Sequence, residues 1–218
     1  MASSHLFRRP ARLSRALALS FSKGFTLIEL LVVTGIIVVI STIVLANNNR
    51  FGGVILLQNL AYNVALSIRE AQVYGISVQR FQASTFNAGY GVHFDLSSTD
   101  TYVLFGDAIQ VNGLYDCPQP GTNNCESVQA TSISTGYSIY DLCITPASGV
   151  ETCGIAKLDI IFKRPDPDAW ISASGVSCIL DNGACGESAR ALLKSPRGDK
   201  TSIVVYANGQ ISVQKVTP

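Results

Sequence analysis

The sequence predicts an α+β fold, a long N-terminal helix packed on an antiparallel β-sheet head. Three observations predict it. The only ionisable residue of the run 25–46 is Glu29, and apolar side chains recur every three or four positions over 54–71. The remainder alternates short β-branched or aromatic runs with turn residues.

The first segment, 1–24, carries Arg8, Arg9, Arg12, Arg15 and Lys23 and no acidic residue. As a helix, the apolar run over 25–46 would span roughly 33 Å, against about 30 Å for the hydrocarbon core of a bilayer. All the basic charge precedes the run, so the positive-inside bias expects the N-terminus in the cytoplasm and the body outside. A secretory signal peptide is the rival reading. The run exceeds a signal core of about 7 to 15 residues, and no convincing small-x-small cleavage site stands near Leu45 and Ala46. A plain signal anchor would account for length and charge bias but not for Glu29. A charge near the middle of a bilayer costs about 2.5 to 3.5 kcal/mol, so an intramembrane carboxylate needs a partner, and no basic residue lies in this helix.

Beyond the run, Asn47-Asn48-Asn49-Arg50-Phe51-Gly52-Gly53 are poor helix formers, and the helix is expected to weaken or kink there without having to end. Val54, Leu57, Ala61, Val64, Ile68 and Ala71 then share one face, with Gln58, Asn63, Arg69 and Gln72 off it. Residues 47–75 therefore read as an amphipathic continuation that packs on a sheet, with Gly75 as its stop. Residues 76–218 read as a β-rich head with Cys-rich loops. Its candidate strands are 76–82, 89–95, 101–105, 156–163, 169–173, 202–207 and 210–215. Asn208-Gly209, between the last two, suits a two-residue type I′ hairpin turn. The middle, 106–154, reads as loop-rich.

Charge and composition narrow the function. The chain has 218 residues, 16 basic and 15 acidic; with the five basic residues of 1–24 set aside, 11 basic face 15 acidic, a body of about −4. Nucleic acid is not the expected partner of such a body. DNA capture would need a clustered basic face, and Lys194, Arg197 and Lys200 in a Pro/Gly loop come nearest. Hydrophobic residues make up 47% of the chain, and 25–46 supplies much of the excess over an ordinary soluble protein.

All six cysteines lie in the body. An even number in an oxidising compartment reads as disulfides, with 15 possible pairings; free buried thiols are the other reading. Short intervals favour Cys117 with Cys125, Cys143 with Cys153, and Cys178 with Cys185, each closing a loop worth about 2 to 3 kcal/mol. Zinc would want closer Cys pairs or nearby histidines. Asp166 and Asp168, between prolines, offer oxygens to calcium but also suit turns, and Asp181-Asn182-Gly183 reads as a turn between Cys178 and Cys185. His93, in a strand-like run, reads as structural. No Gly-x-Ser-x-Gly elbow, P-loop or GxGxxG occurs, so neither an enzyme nor a cofactor is expected.

The stretch Lys23-Gly24-Phe25-Thr26-Leu27-Ile28-Glu29-Leu30-Leu31-Val32-Val33 resembles the N-terminal signature of type IV pilins and pseudopilins: a basic leader ending in glycine, an aromatic residue, then a glutamate at the fifth mature position of an apolar helix. The resemblance implies a pilin-like fold, cleavage between Gly24 and Phe25 by prepilin peptidase, removal of 1–24, and N-methylation of Phe25. It also implies a single-pass protein of the bacterial inner membrane with a periplasmic head, later assembled with other pilin or pseudopilin subunits. The amine freed at Phe25 supplies the missing cation: a neighbouring subunit, shifted along a stack, would bring its amine to Glu29. Within the superfamily, "LAYNVALSIREAQVYGISV" over 60–78, "LDIIFKRPDPDAWI" and "IVVYANGQISV" are similar to the GspH/FimT group of minor pseudopilins. That implies a structural subunit of a type II secretion pseudopilus or a type IV pilus. The alternative is a pilus-tip binding module for DNA uptake or adhesion.

Overall fold

The computed structural model describes residues 24–77, 79–81, 88–117, 125–180 and 185–216, those at 46–51 by their backbone. The leader before Gly24, residue 82 and the sequence Asp181-Asn182-Gly183 lie outside the described residues. One helix, α1 (Leu27–Ile76), continues through the Asn- and Gly-containing stretch 47–53. The chain nevertheless divides into two compact units, with the boundary between Ala46 and Asn47.

In the first unit, α1 is exposed on every side from Leu27 to Leu45. In the second, α1 buries one face. Leu57, Ala61, Val64, Ile68 and Ala71 are at most 3% exposed, while Val54 stays half-exposed. The spacing of three and four residues stacks these side chains along one stripe, which is why this half of the helix has a core side.

Among the described residues ten strands follow: β1 (Gly89–Asp95), β2 (Thr101–Asp107), β3 (Ser127–Ser132), β4 (Ser138–Pro146), β5 (Thr152–Cys153), β6 (Lys157–Phe162), β7 (Ala169–Ala173), β8 (Gly186–Lys194), β9 (Lys200–Tyr206) and β10 (Ile211–Lys215). They form two five-stranded antiparallel sheets, ordered β3-β2-β1-β6-β7 and β10-β9-β8-β4-β5. The helix face, Val92, Phe94, Ile160 and Phe162 of the first sheet, and Leu142, Leu193, Ile203 and Val205 of the second share one core. The α+β class and the apolar helix followed by antiparallel strands agree with the sequence reading; the division into two sheets was not foreseen.

Several local expectations are corrected. Residues 76–82 form no strand among those described, because α1 runs on to Ile76 and a turn follows. The middle is loop-rich as read, but it also contains β3, β4 and β5, which were not among the candidate strands. Gln72 is buried, with its amide nitrogen donating to Pro167 O at 2.9 Å and Gly209 O at 3.1 Å and its oxygen accepting from Arg69 Nη1. Fully satisfied, it costs nothing on a face otherwise apolar. Gly75 is helical rather than a terminal cap. It is small because a Cβ there would strike the Phe162 carbonyl, and its own carbonyl accepts from Arg164 N–H at 3.2 Å.

The β9–β10 turn is also not a two-residue type I′. Tyr206 N–H donates to Gln210 O at 2.9 Å and Gly209 N–H to Tyr206 O at 2.8 Å, while Gly209 has φ +77° and Asn208 is not at positive φ. This is a three-residue loop with glycine in the left-handed position. Gly209 is required twice, because a Cβ would also collide with Pro167 O.

The helix seam gives a direct stability test. Ile68→Ala should lower the unfolding free energy of the full chain's head by about 2 to 5 kcal/mol through lost burial and a cavity. Leu66→Ala, at a position 65% exposed and two residues from both Val64 and Ile68, should stay within about 0.5 kcal/mol. Denaturant midpoints of the two variants check this; equal effects would mean that the seam is not the helix's core side.

Candidate functional site

Gly24, Phe25 and Thr26 precede the helix, and Phe25 is 77% exposed. Thr26 is its N-cap: Thr26 Oγ1 accepts from Glu29 N–H at 3.3 Å, and Thr26 O accepts from Leu30 N–H at 3.1 Å. Thr26-x-x-Glu29 has the spacing of a capping box, and it places an acidic side chain in the first turn, where the helix dipole favours it. Thr26 was missed by the sequence reading although that spacing was visible. Among the described residues no side chain bonds the Glu29 carboxylate.

From Leu27 to Leu45 the helix has a mean hydropathy of 2.7. Its threonines hide their hydroxyls within the helix: Thr34 Oγ1 donates to Leu30 O and Leu31 O at 3.0 Å, and Thr42 Oγ1 to Val38 O at 2.8 Å. Polar groups satisfied in this way are compatible with hydrocarbon. Glu29 is the one side chain of the segment whose charge the helix does not neutralise.

In the head, the structure joins Cys117 to Cys125, Cys143 to Cys153 and Cys178 to Cys185, with Cα separations of 4.1, 4.0 and 4.7 Å. Asp166 and Asp168 are exposed and border a hollow of about 130 Å³ together with Lys163, Arg164 and Trp170. They belong to no group of three metal-ligand side chains among the described residues. The one such group, Asp141 with Cys143 and Cys153, has its sulfurs in a disulfide, and Asp141 Oδ1 accepts from Leu142 N–H and Gly154 N–H.

His93 is buried. Its Nδ1 lies 2.6 Å from Asp159 Oδ1, which also accepts from Tyr115 N–H at 3.2 Å. Two further buried carboxylates hold the same loop. Glu126 Oε1 accepts from Ala108 N–H at 2.9 Å and Ile109 N–H at 2.7 Å, and its Oε2 from Asp116 N–H at 3.1 Å. Asp107 accepts from Asn112 N–H at 3.0 Å and Gly113 N–H at 3.1 Å. Three carboxylates thus pin 108–116 through its backbone, the segment that leads into Cys117. No sequence signal marked Asp107 or Glu126, since their partners are backbone groups.

Lys194 and Lys200 are not in the loop itself but end β8 and open β9. They stand directly opposite each other in the β8–β9 ladder, with their ammoniums 5.2 and 4.1 Å from the centroid of the Tyr140 ring. Arg197 lies in the turn between those two strands.

An α+β chain whose N-terminal helix opens with an exposed, apolar, singly charged segment is the class these features define. Residues 19–45 match the family described as prokaryotic N-terminal methylation motif. The match is confined to this segment, and it supports a precursor of the pilin or pseudopilin type. Such a motif implies processing by prepilin peptidase and assembly with other pilins, and it points to a structural subunit rather than an enzyme. No curated protein and no solved structure matches the chain.

The Asp107 carboxyl is pushed up to about 6, first by burial, with the nearby Glu126 adding to the effect and the two N–H donors and Lys163 opposing it. Glu126 is raised as well, again chiefly by burial. A folded value above the unfolded one, about 3.9, means stability that is fully present below that value and lost as pH rises through the folded value. The head should therefore gain about 1 kcal/mol between roughly pH 7 and pH 5 from Asp107. Asp107→Asn should flatten the dependence in denaturant titrations at the two pH values; a head that loses stability on acidification over this range would contradict the assignment.

Proposed function

We propose that the chain is a minor pilin or pseudopilin of the GspH/FimT kind, a structural subunit of a type II secretion pseudopilus or a type IV pilus. Prepilin peptidase cuts after Gly24 and methylates the amine of Phe25. The mature helix anchors the subunit in the bacterial inner membrane, with the N-terminus cytoplasmic and the head periplasmic, until the subunit joins a fibre. The observation that carries this reading is Glu29, a carboxylate without a side-chain partner in the first turn of an exposed apolar helix within a matched methylation motif.

The mechanism follows from charge and geometry. In the membrane Glu29 is costly, and in a stack of such helices the amine of the next subunit's Phe25 is the cation available to it. A pair of this kind forms at one axial offset only, so it sets register as subunits are added. The apolar surfaces of residues 27–45 then pack side by side. Thr26 contributes by fixing the start of the helix, and with it the height at which Glu29 projects. The disulfides suit the periplasm, which is oxidising.

The test is Glu29→Ala in cells that assemble the fibre. The variant should still co-sediment with membranes, because loss of a charge eases insertion, while its recovery in sheared fibres should fall at least about tenfold, the equivalent of 1.4 kcal/mol. Glu29→Gln should fail in the same way, as it keeps the shape and removes the charge. Normal assembly of both variants would refute the role given to the carboxylate.

A further inference from the structure

The second sheet carries an unusual charge arrangement on the face turned away from the core. Leu193 of β8 and Ile203 and Val205 of β9 point into the core, so Lys194 and Lys200, which pair across the ladder, belong to the opposite row. Like charges directly opposite each other repel, yet both ammoniums converge on the Tyr140 ring, at 5.2 and 4.1 Å from its centroid. Tyr140 is the extra residue of a bulge, where the β4–β8 register jumps from Ile139 to Asp141, and bulges re-aim a side chain. Among the described residues neither lysine forms an ion pair, and the carboxylate of the adjoining turn, Asp199, accepts from the Ser195 hydroxyl at 3.2 Å. Two cations held together without a carboxylate partner make a place for two negative charges.

The complementary feature lies at the other end of the head. The β8–β9 turn stands near Leu57 of α1, whereas Pro167 O accepts from the amide of Gln72, and the helix between those two positions is about 22 Å long. Asp166 and Asp168 flank that anchored proline, both exposed and without an ion pair among the described residues. Lys163 and Arg164 border the same hollow but are half-buried, and the charge of Lys163 acts on the buried Asp107 carboxyl. The outermost charges of this pole are therefore the two aspartates. Alternate residues lie at most about 7 Å apart along the backbone, and the two ammoniums can be no farther apart than their combined distances from the ring. Each pole also presents one aromatic side chain, Trp170 at 41% and Tyr140 at 46% exposed.

We propose that Lys194 and Lys200 of one head receive Asp166 and Asp168 of a second copy of this chain. A separation of about 22 Å excludes the pairing within one head, so the two poles meet only between copies. The two surfaces differ, which makes the contact heterologous: each added head leaves one pole of each kind free, and addition continues wherever the rotation does not close a ring. That is how a fibre grows, and the inference deepens the subunit reading given above, on which it rests. Exposed ion pairs contribute little affinity and chiefly select orientation and register. A phosphate polymer would suit the lysines but not the acidic pole, and the body beyond position 24 has 11 basic against 15 acidic residues.

The test reconstitutes isotope-labelled and unlabelled full chain together in phosphatidylcholine vesicles and adds a water-soluble carbodiimide. The reagent joins a carboxylate to an amine in contact with it as an amide, and takes up the water lost to become a urea. Mass spectrometry should find amides between Lys194 or Lys200 and Asp166 or Asp168, with labelled and unlabelled partners mixed. Lys194→Glu with Lys200→Glu should lower the yield of cross-linked dimer at least about tenfold, and so should Asp166→Lys with Asp168→Lys. All four substitutions together should restore the yield to within about threefold of the unaltered chain, a rescue that neither misfolding nor a phosphate ligand produces. Lys157→Gln, at a lysine paired with Asp95 elsewhere on the head, should leave the yield unchanged. Absence of mixed amides at these positions, or failure of the rescue, overturns the proposal. So does loss of the amides on addition of a thymidine oligonucleotide, which would give the lysines to a phosphate polymer. Flotation with the vesicles is read on the same samples. A chain that floats without the amides loses the contact alone, whereas one that fails to float loses the anchored-subunit reading and the contact with it.

Discussion

The structure depends on one helix meeting two solvents. From Leu27 to Leu45 its side chains are apolar all round and exposed, a surface that water does not tolerate and a bilayer or a bundle of like helices does. From Leu57 onward the same helix narrows its apolar surface to a stripe, and that stripe is the centre of the core that both sheets share. A helix apolar on all sides would have no reason to choose one face for the sheets, and an amphipathic helix throughout could not cross a membrane. The change of pattern after the Asn- and Gly-containing stretch is what distinguishes the exposed apolar segment from the half of the helix that packs in the head.

Against that scaffold the two polar features carry most of the specificity. Glu29 sits where the helix begins, with Thr26 capping the same turn, so its height along the axis is fixed while its charge is left unneutralised. In the head the opposite solution appears. Asp107, Glu126 and Asp159 are buried and satisfied by backbone donors of 108–116, which makes a loop without secondary structure as determined as a strand. Burial raises the carboxyls of Asp107 and Glu126 above their ordinary range, which favours the folded head as the pH falls toward the raised value.

How much of this was legible in the sequence varies with the physical cause. The apolar run 25–46 was readable from composition, the seam from Leu57 to Ala71 from its spacing of three and four, and β1 and β7 from aromatic and β-branched side chains between turn residues. β8 was not: Ala189-Arg190-Ala191-Leu192-Leu193-Lys194 is rich in good helix formers, and only pairing with β4 and β9 on either side makes it a strand. β3 was hidden because it is an exposed polar edge, and β4 because two register shifts break its alternation. The cap at Thr26 was present in the pattern and overlooked, whereas the convergence of Lys194 and Lys200 on Tyr140 depends on a bulge and a ladder register that sequence spacing does not encode.

That the functional helix of this chain begins at Phe25 is tested most directly by the intact mass of the protein from membranes of cells with and without prepilin peptidase. The expected result is a chain that begins at N-methylated Phe25 when the peptidase is present and one that keeps residues 1–24 when it is absent. A chain of the same uncut mass in both would contradict it.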